Sequence, residues 1–249
     1  MTKYTLEIAC DSVQSAINAQ QGRADRIELC ENLAQGGVTP SAAKIKLAKA
    51  KLNVPAFVLI RPRKGDFLYS NLEIETMLES IQIAKELGAD GIVSGALRAD
   101  GKLDLQQMKQ LVEAASPLPF TCHRAFDMCS NPPVALERLI DLGVARILTS
   151  GQRSSAIEGK ENIEKIVQLA DGRIKIMAGA GIRPHNIAEL FSIAGLQEFH
   201  SSAKQIVKSK MQYLGEARMG DEDLEKEFEW EEVSIEQVQA LKLNSVGSA

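Results

Sequence analysis

Short apolar runs alternate with helical patterns eight times along this chain, and that alternation is what most limits its fold. The runs of strand length are Tyr4–Cys10, Arg26–Cys30, Ala56–Pro62, Gly91–Leu97, Phe120–Ala125, Arg146–Gly151, Lys175–Gly181 and Glu198–Ala203. Helical punctuation falls between them. Asp11-Ser12 can cap a helix, Ser70-Asn71 and Asp104 open helices, and Thr39-Pro40 reads as a cap with proline in the first turn. Asn131-Pro132-Pro133 opens a helical pattern behind the fifth strand, and another helix is expected after Pro184. Leu87-Gly88-Ala89-Asp90 and Leu142-Gly143-Val144-Ala145 each stop a helix at glycine before the next strand. Eight strand–helix units predict an α/β fold, a parallel (β/α)8 barrel of the TIM type, with its ligand face at the strand carboxyl ends. A doubly wound open sheet is the competing arrangement. It needs an edge strand, and every strand here reads as equally buried.

The 249 residues are the size of one such barrel, and 1–249 reads as a single domain. The rhythm breaks at Lys204 to Glu232, a long loop after the eighth strand. Its acidic part, Asp221 to Glu232, carries Phe228 and Trp230. It is either a solvated loop packed by its aromatics or a lid over the ligand face. Val233–Leu243 reads as the last helix. A net charge of -4 without a basic patch excludes a nucleic-acid partner. No apolar stretch reads as a signal peptide or a membrane span, and no nucleotide or flavin cofactor is expected. The four cysteines form no Cys-x-x-Cys, which fits reduced thiols in the cytoplasm.

Side chains alternate in and out along a strand, and a charge inside a barrel is costly unless paired or functional. Glu7 and Glu28 hold matching places in Leu6-Glu7-Ile8 and Ile27-Glu28-Leu29. Arg61 and Arg63 flank Pro62, His123 and Arg124 end the fifth strand with Asp127 just beyond, and His200 lies in the eighth. These charges are expected at one end of the barrel, either as an ion-pair network that closes it or as a site. Met177-Ala178-Gly179-Ala180-Gly181-Ile182 leads out of strand seven, where such barrels often bind phosphate. Gly179 and Gly181 either expose N–H groups to an anion or allow close packing. Ser201, Ser202 and Lys204 follow strand eight.

The thiols read in two ways. Cu(I) prefers soft thiolates, and Cys10 and Cys30 end neighbouring strands. If Glu7 and Glu28 both point inward, however, Cys30 points inward and Cys10 outward. Each is then a small buried hydrophobe.

Nine stretches together resemble the CutC copper homeostasis family along nearly the whole chain. They are Ile27-Glu28-Leu29-Cys30, Gly36-Gly37-Val38-Thr39-Pro40-Ser41, Ile60-Arg61-Pro62-Arg63-Lys64-Gly65-Asp66-Phe67 and Gly88-Ala89-Asp90-Gly91. With them go Ala99-Asp100-Gly101, His123-Arg124-Ala125-Phe126-Asp127, Leu148-Thr149-Ser150-Gly151, Ala178-Gly179 with Gly181-Ile182, and Glu198-Phe199-His200. Gln152 and Ala180 stand where the pattern often has glycine. The resemblance implies a TIM-type barrel, a cytoplasmic homodimer or higher homo-oligomer, and copper handling, with the copper ion as partner and Cu(I) as the bound form. On that footing the candidate metal ligands are Cys10 and Cys30. The shared charged and glycine residues suit a small anionic ligand instead. The candidate ligand-binding set is Arg61, Arg63, Arg124, Ser150, Gly179, Gly181, His200 and Ser201. Were the protein an enzyme acting on a phosphorylated or carboxylated metabolite, Glu28, His123 and Asp127 would move protons.

Overall fold

The computed structural model describes residues 4–213, 215–216 and 223–243. Eight parallel strands close into a barrel in chain order: β1 (Thr5–Cys10), β2 (Arg26–Leu29), β3 (Ala56–Leu59), β4 (Gly91–Ser94), β5 (Phe120–Cys122), β6 (Arg146–Thr149), β7 (Lys175–Ala178) and β8 (Glu198–Ser201). Helices α1 (Val13–Gln21), α2 (Ala42–Lys51), α3 (Asn71–Glu86), α4 (Leu105–Ala115), α5 (Pro132–Asp141) and α6 (Lys160–Ala170) follow the first six. The barrel is therefore of the TIM type, and the open sheet is excluded by the pairing of β8 with β1. From β3 to β8 the strands end two or three residues sooner than their apolar runs, because the last residues of each run leave the ladder to form the mouth.

Two apolar clusters follow from the side-chain alternation. Leu6, Ile8, Cys10, Ile27, Leu29, Val58, Ile60, Ile92, Cys122, Ile147 and Phe199 face the helices. Cys30, Phe57, Leu59 and Val93 form a second cluster inside the barrel. Phe57 fills the interior so tightly that a Cβ at Gly91 would lie 2.6 Å from its ring. Packing at interior density leaves no room for it.

Helix starts follow their caps. Ser12, Ser70, Asp104 and Asn131 accept N–H bonds from the first turns of α1, α3, α4 and α5. Ser70 and Glu73 complete a reciprocal capping box. Thr39 does not cap α2; Ser41 does, and the Thr39 hydroxyl exchanges hydrogen bonds with the Arg61 backbone. Gly88 and Gly143 leave their helices with φ of +85° and +73°.

Two further expectations fail. No α-helix follows Pro184. Ile187, Leu190, Ile193 and Leu196 are buried at a spacing of three, the 3₁₀ period, and successive bonds such as Glu189 N–H to Asn186 O and Ile193 N–H to Leu190 O run from i to i+3. Only a short 3₁₀ turn, Ile187–Leu190, results, so no helix N-terminus faces an anion there. The segment after β8 is not a plain loop or lid either. It carries a two-stranded antiparallel sheet, β9 (Lys204–Lys208) with β10 (Glu229–Val233), which runs into α7 (Ile235–Leu243). Asn18 of α1 donates to the Glu232 side chain and to the Val233 carbonyl, so β10 is anchored beside α1. Of the acidic stretch expected there, Asp221 and Glu222 lie outside the described residues.

Candidate functional site

Closure of the barrel sets β1 against both β2 and β8. Glu7 becomes the register partner of Arg26 on one side and of His200 on the other. Glu7, Arg26, Glu28, Glu198 and His200 thus share the interior of three adjacent strands. Glu7 accepts a bond from the Arg26 Nε on one oxygen and lies 2.8 Å from His200 Nδ1 on the other. Burial alone would push Glu7 up. The Arg26 charge and the His200 bond outweigh it and hold the carboxyl down at about 2. Glu28 Oε2 is 3.7 Å from the same His200 nitrogen, beyond a good hydrogen bond. Burial therefore dominates there and raises Glu28 to about 7. Burial would lower His200, but the Glu28 and Glu7 carboxylates outweigh it and raise it. Both groups are thus shifted toward their protonated forms, and such perturbed titration is typical of functional sites.

Glu28 and His200 open into a cavity of about 220 Å³ at the strand carboxyl ends. Of the sequence-selected residues, Glu28, Arg61, His123, Arg124, Gly181, His200 and Ser201 line it. Arg61 leaves β3 and is clamped by loop carbonyls: Nη1 donates to Gln35 O and Gly37 O, and Nη2 to Gly65 O. His123 follows β5; its Nδ1 accepts the Ala125 N–H at 3.1 Å. Burial and the Arg61 charge lower its pKa to about 3, so the ring is neutral. Gly95 makes room for it, since a Cβ there would lie 3.0 Å from the imidazole. Phe67 stacks beside both, 4.8 Å from the His123 ring and 5.1 Å from the Arg61 guanidinium carbon.

Six sequence-selected residues sit elsewhere. Arg63 turns outward to Asp66 and Glu73. Asp127 is a saturated hub: its carboxylate accepts Thr149 Oγ1, the N–H groups of Ser150 and Gln152, Ser150 Oγ and Arg124 Nε. That leaves it to hold the β6 loop rather than to move a proton, and Ser150 belongs to the same hub. Gly179 packs: a Cβ there would meet the Leu148 side chain at 2.5 Å and His200 at 3.2 Å. Cys10 packs among the outward apolar residues and Cys30 among the inward ones, as alternation requires. Burial raises both thiols well above their usual range.

Ser202, expected beside Ser201, lines the cavity too. Other members were not singled out by sequence. Arg183, Gly36 and Phe67 also line the cavity. Below it, Arg26, Arg146 and Glu198 form a buried network. Glu198 accepts Arg26 Nη2 at 2.7 Å and Arg146 Nη2 at 3.2 Å. In-and-out parity was the available signal, because Arg26 and Glu198 each stand two residues before a selected inward residue. Gln152 and Ala180, in the places where glycine is frequent, keep positive φ of 58° and 76°. The loop shape persists at a strain of about 1–2 kcal/mol each.

Among the described residues, Glu7, Glu28 and His200 bring donor atoms within 4.8 Å of one another, close enough to hold a metal ion. Carboxylates and imidazole suit a divalent ion; Cu(I) calls for thiolates. No helix among the described residues is long and apolar enough to cross a membrane.

The model of the CutC family matches residues 4–205. A Parabacteroides distasonis CutC family protein is 48% identical over 240 residues, 96% of this chain and 99% of its own length. A human copper homeostasis protein cutC homolog is 48% identical over 210 residues, 84% and 77% of the two chains. The crystal structure of the Streptococcus agalactiae CutC protein superposes with a TM-score of 0.76 at 33% identity, covering 80% of this chain and 98% of that one.

Proposed function

The chain belongs to the CutC family, and from that premise we propose that it serves copper homeostasis in the cytoplasm by binding Cu(I) through Cys10 and Cys30. The observation that carries this reading is the approach of the two cysteines. Cys30 Sγ lies 3.6 Å from the Cys10 carbonyl oxygen, and the Cys30 N–H donates to that same oxygen at 2.9 Å. Both thiols are free and buried. The sulfurs start on opposite faces of the sheet, so a shared ion requires the last peptide of β1 to turn Cys10 toward the mouth. Burial holds both thiols protonated, so each thiolate that takes copper releases a proton, and affinity rises with pH. Titration of Cu(I) against a competing chelator tests this. Cys10→Ser and Cys30→Ser should each bind roughly tenfold more weakly or worse, since loss of mere outer-shell partners already weakens metal binding by ~10–100-fold. Unchanged affinity in both variants would remove these thiols from copper handling.

A second reading is favoured by one specific observation. Arg61, Arg124 and Arg183 share the cavity with Glu28 as its one carboxylate, and Asp127 behind Arg124 offsets only one of the three cations. That surplus of positive charge suits a small anion, which guanidinium groups grip in a planar fork. Oxalate, measured by calorimetry, should bind the native protein and bind Arg61→Ala far more weakly. Absence of oxalate binding to the native protein would refute this reading.

A further inference from the structure

Among the described residues, the buried side-chain atoms without a hydrogen-bond partner include Glu28 Oε2, Arg61 Nε and His123 Nε2. All three residues line the one cavity at the mouth, and all are more than nine-tenths buried. A buried orphan is expensive, and three meeting in one cavity call for a ligand that satisfies them together. Their chemistry is unequal and complementary. His123 Nδ1 accepts the Ala125 N–H, so the neutral ring carries its proton on Nε2 and offers it as a donor. The Arg61 guanidinium is fixed by the Gln35, Gly37 and Gly65 carbonyls, which take three of its five N–H groups and leave Nε without a partner. Glu28 Oε2 is the lone acceptor. Two rigid donors and one carboxylate oxygen match a carbonyl oxygen with an acidic C–H beside it.

Resting on the anion reading of this cavity, we propose that it is a proton-abstraction site for a small 2-oxo acid. The substrate carboxylate meets the guanidiniums of Arg124 and Arg183. Its carbonyl oxygen lies against His123 Nε2–H and Arg61 Nε–H. Glu28 Oε2 takes a proton from the carbon next to the carbonyl. The C–H bond breaks, its electron pair forms a C=C bond, and the carbonyl π pair moves onto oxygen as an enolate. The two donors hold that oxyanion, an interaction strongest as charge develops. Return of the proton from Glu28 to carbon reverses the step, so no oxidant, reductant or co-reactant is consumed. Glu28 is then the catalytic base, and His123 and Arg61 are the catalytic donors. His200, hydrogen-bonded to Glu7, faces Glu28 at 3.7 Å, and the proton on Glu28 exchanges with solvent through the cavity that Glu28 itself lines.

The test is hydrogen exchange at carbon. Pyruvate and 2-oxobutyrate are incubated with the native protein in D₂O, and loss of the C3–H signal is followed by proton NMR. Exchange should exceed the protein-free control by roughly tenfold or more, since one positioned acid–base group supplies ~10²–10⁴-fold. Glu28→Gln should abolish the excess while still binding oxalate, a planar mimic of the enolate. Glu28→Asp, with its carboxylate withdrawn by one methylene, should retain part of it, and circular dichroism checks that each variant folds. If the native protein binds oxalate but exchanges neither oxo acid faster than buffer, the proton-abstraction proposal is overturned and the anion reading stands. If oxalate does not bind the native protein, both fall.

Discussion

Two buried charge clusters share the barrel interior, and they are finished differently. In the lower one, Glu198 is bonded by Arg26 and Arg146 and approached by Lys175 at 3.5 Å, Arg146 also donates to Thr121, and Arg26 reaches Glu7. Arg26 and Arg146 both lie over the Phe57 ring, 4.9 Å and 5.4 Å from its centroid. In the upper one, Glu28, Arg61 and His123 each keep an unused polar atom. The residue types are nearly the same, and so is the burial. What differs is satisfaction: the lower cluster closes the barrel, whereas the upper is incomplete without something from outside. Buried charge alone does not identify a site, and buried charge left unpaired is the stronger indicator.

The largest effect should come from breaking the finished cluster. Glu198→Ala strands Arg26 and Arg146 without their common carboxylate, and removal of one partner from a buried ion network costs about 3–5 kcal/mol. Urea unfolding measures this, and a loss near zero would mean that the lower cluster does not hold the barrel. An intermediate effect belongs to Glu28 and appears as a pH dependence. Its folded pKa is raised from 4.5 to about 7, so the native state binds more protons than the unfolded state in that window. Stability should therefore fall as pH rises from 4.5 through 7, by at most about 3 kcal/mol from Glu28 alone. His200, also raised, adds to the fall above its ordinary range. In Glu28→Gln both contributions shrink, because Glu28 is the largest of the charges raising His200, and the profile should flatten. On the acid side Glu7 acts oppositely: it is lowered to about 2, so its contribution disappears as pH falls below 4.5, in native protein and variant alike. A steep alkaline fall persisting in Glu28→Gln would separate Glu28 from the titration. The smallest effect is expected outside both clusters. Arg63 pairs with Asp66 and Glu73 at the surface, so Arg63→Ala should cost about 1 kcal/mol or less in urea unfolding and leave oxalate binding unchanged.

Much of this was legible residue by residue. Parity along β1 and β2 separated Cys10 from Cys30, because alternation is built into an extended chain and needs no tertiary information. Helix starts at Ser70, Asp104 and Asn131 were legible for the same local reason. The surroundings of Asp127 were not legible: its motif says only that a carboxylate stands beside His123 and Arg124. Its saturation comes from Thr149, Ser150 and Gln152, which reach it from β6 and the loop beyond. The helix expected after Pro184 failed because a spacing of three and a spacing of three to four differ little over four apolar residues. Arg183 carried no local signal, since its role follows from the cavity it borders.

Taken alone, the sequence determined the order of strands and helices, the face on which each residue stands and the family to which the chain belongs, because periodicity and motif are properties of neighbouring residues. Only the tertiary structure decided which inward charges meet. Arg26 and Glu198 pair across 172 positions because β8 returns to lie against β1. Closure and the stagger between strands set the height of each side chain in the barrel. That height separates a carboxylate held by two arginines from Glu28, which has an oxygen left over.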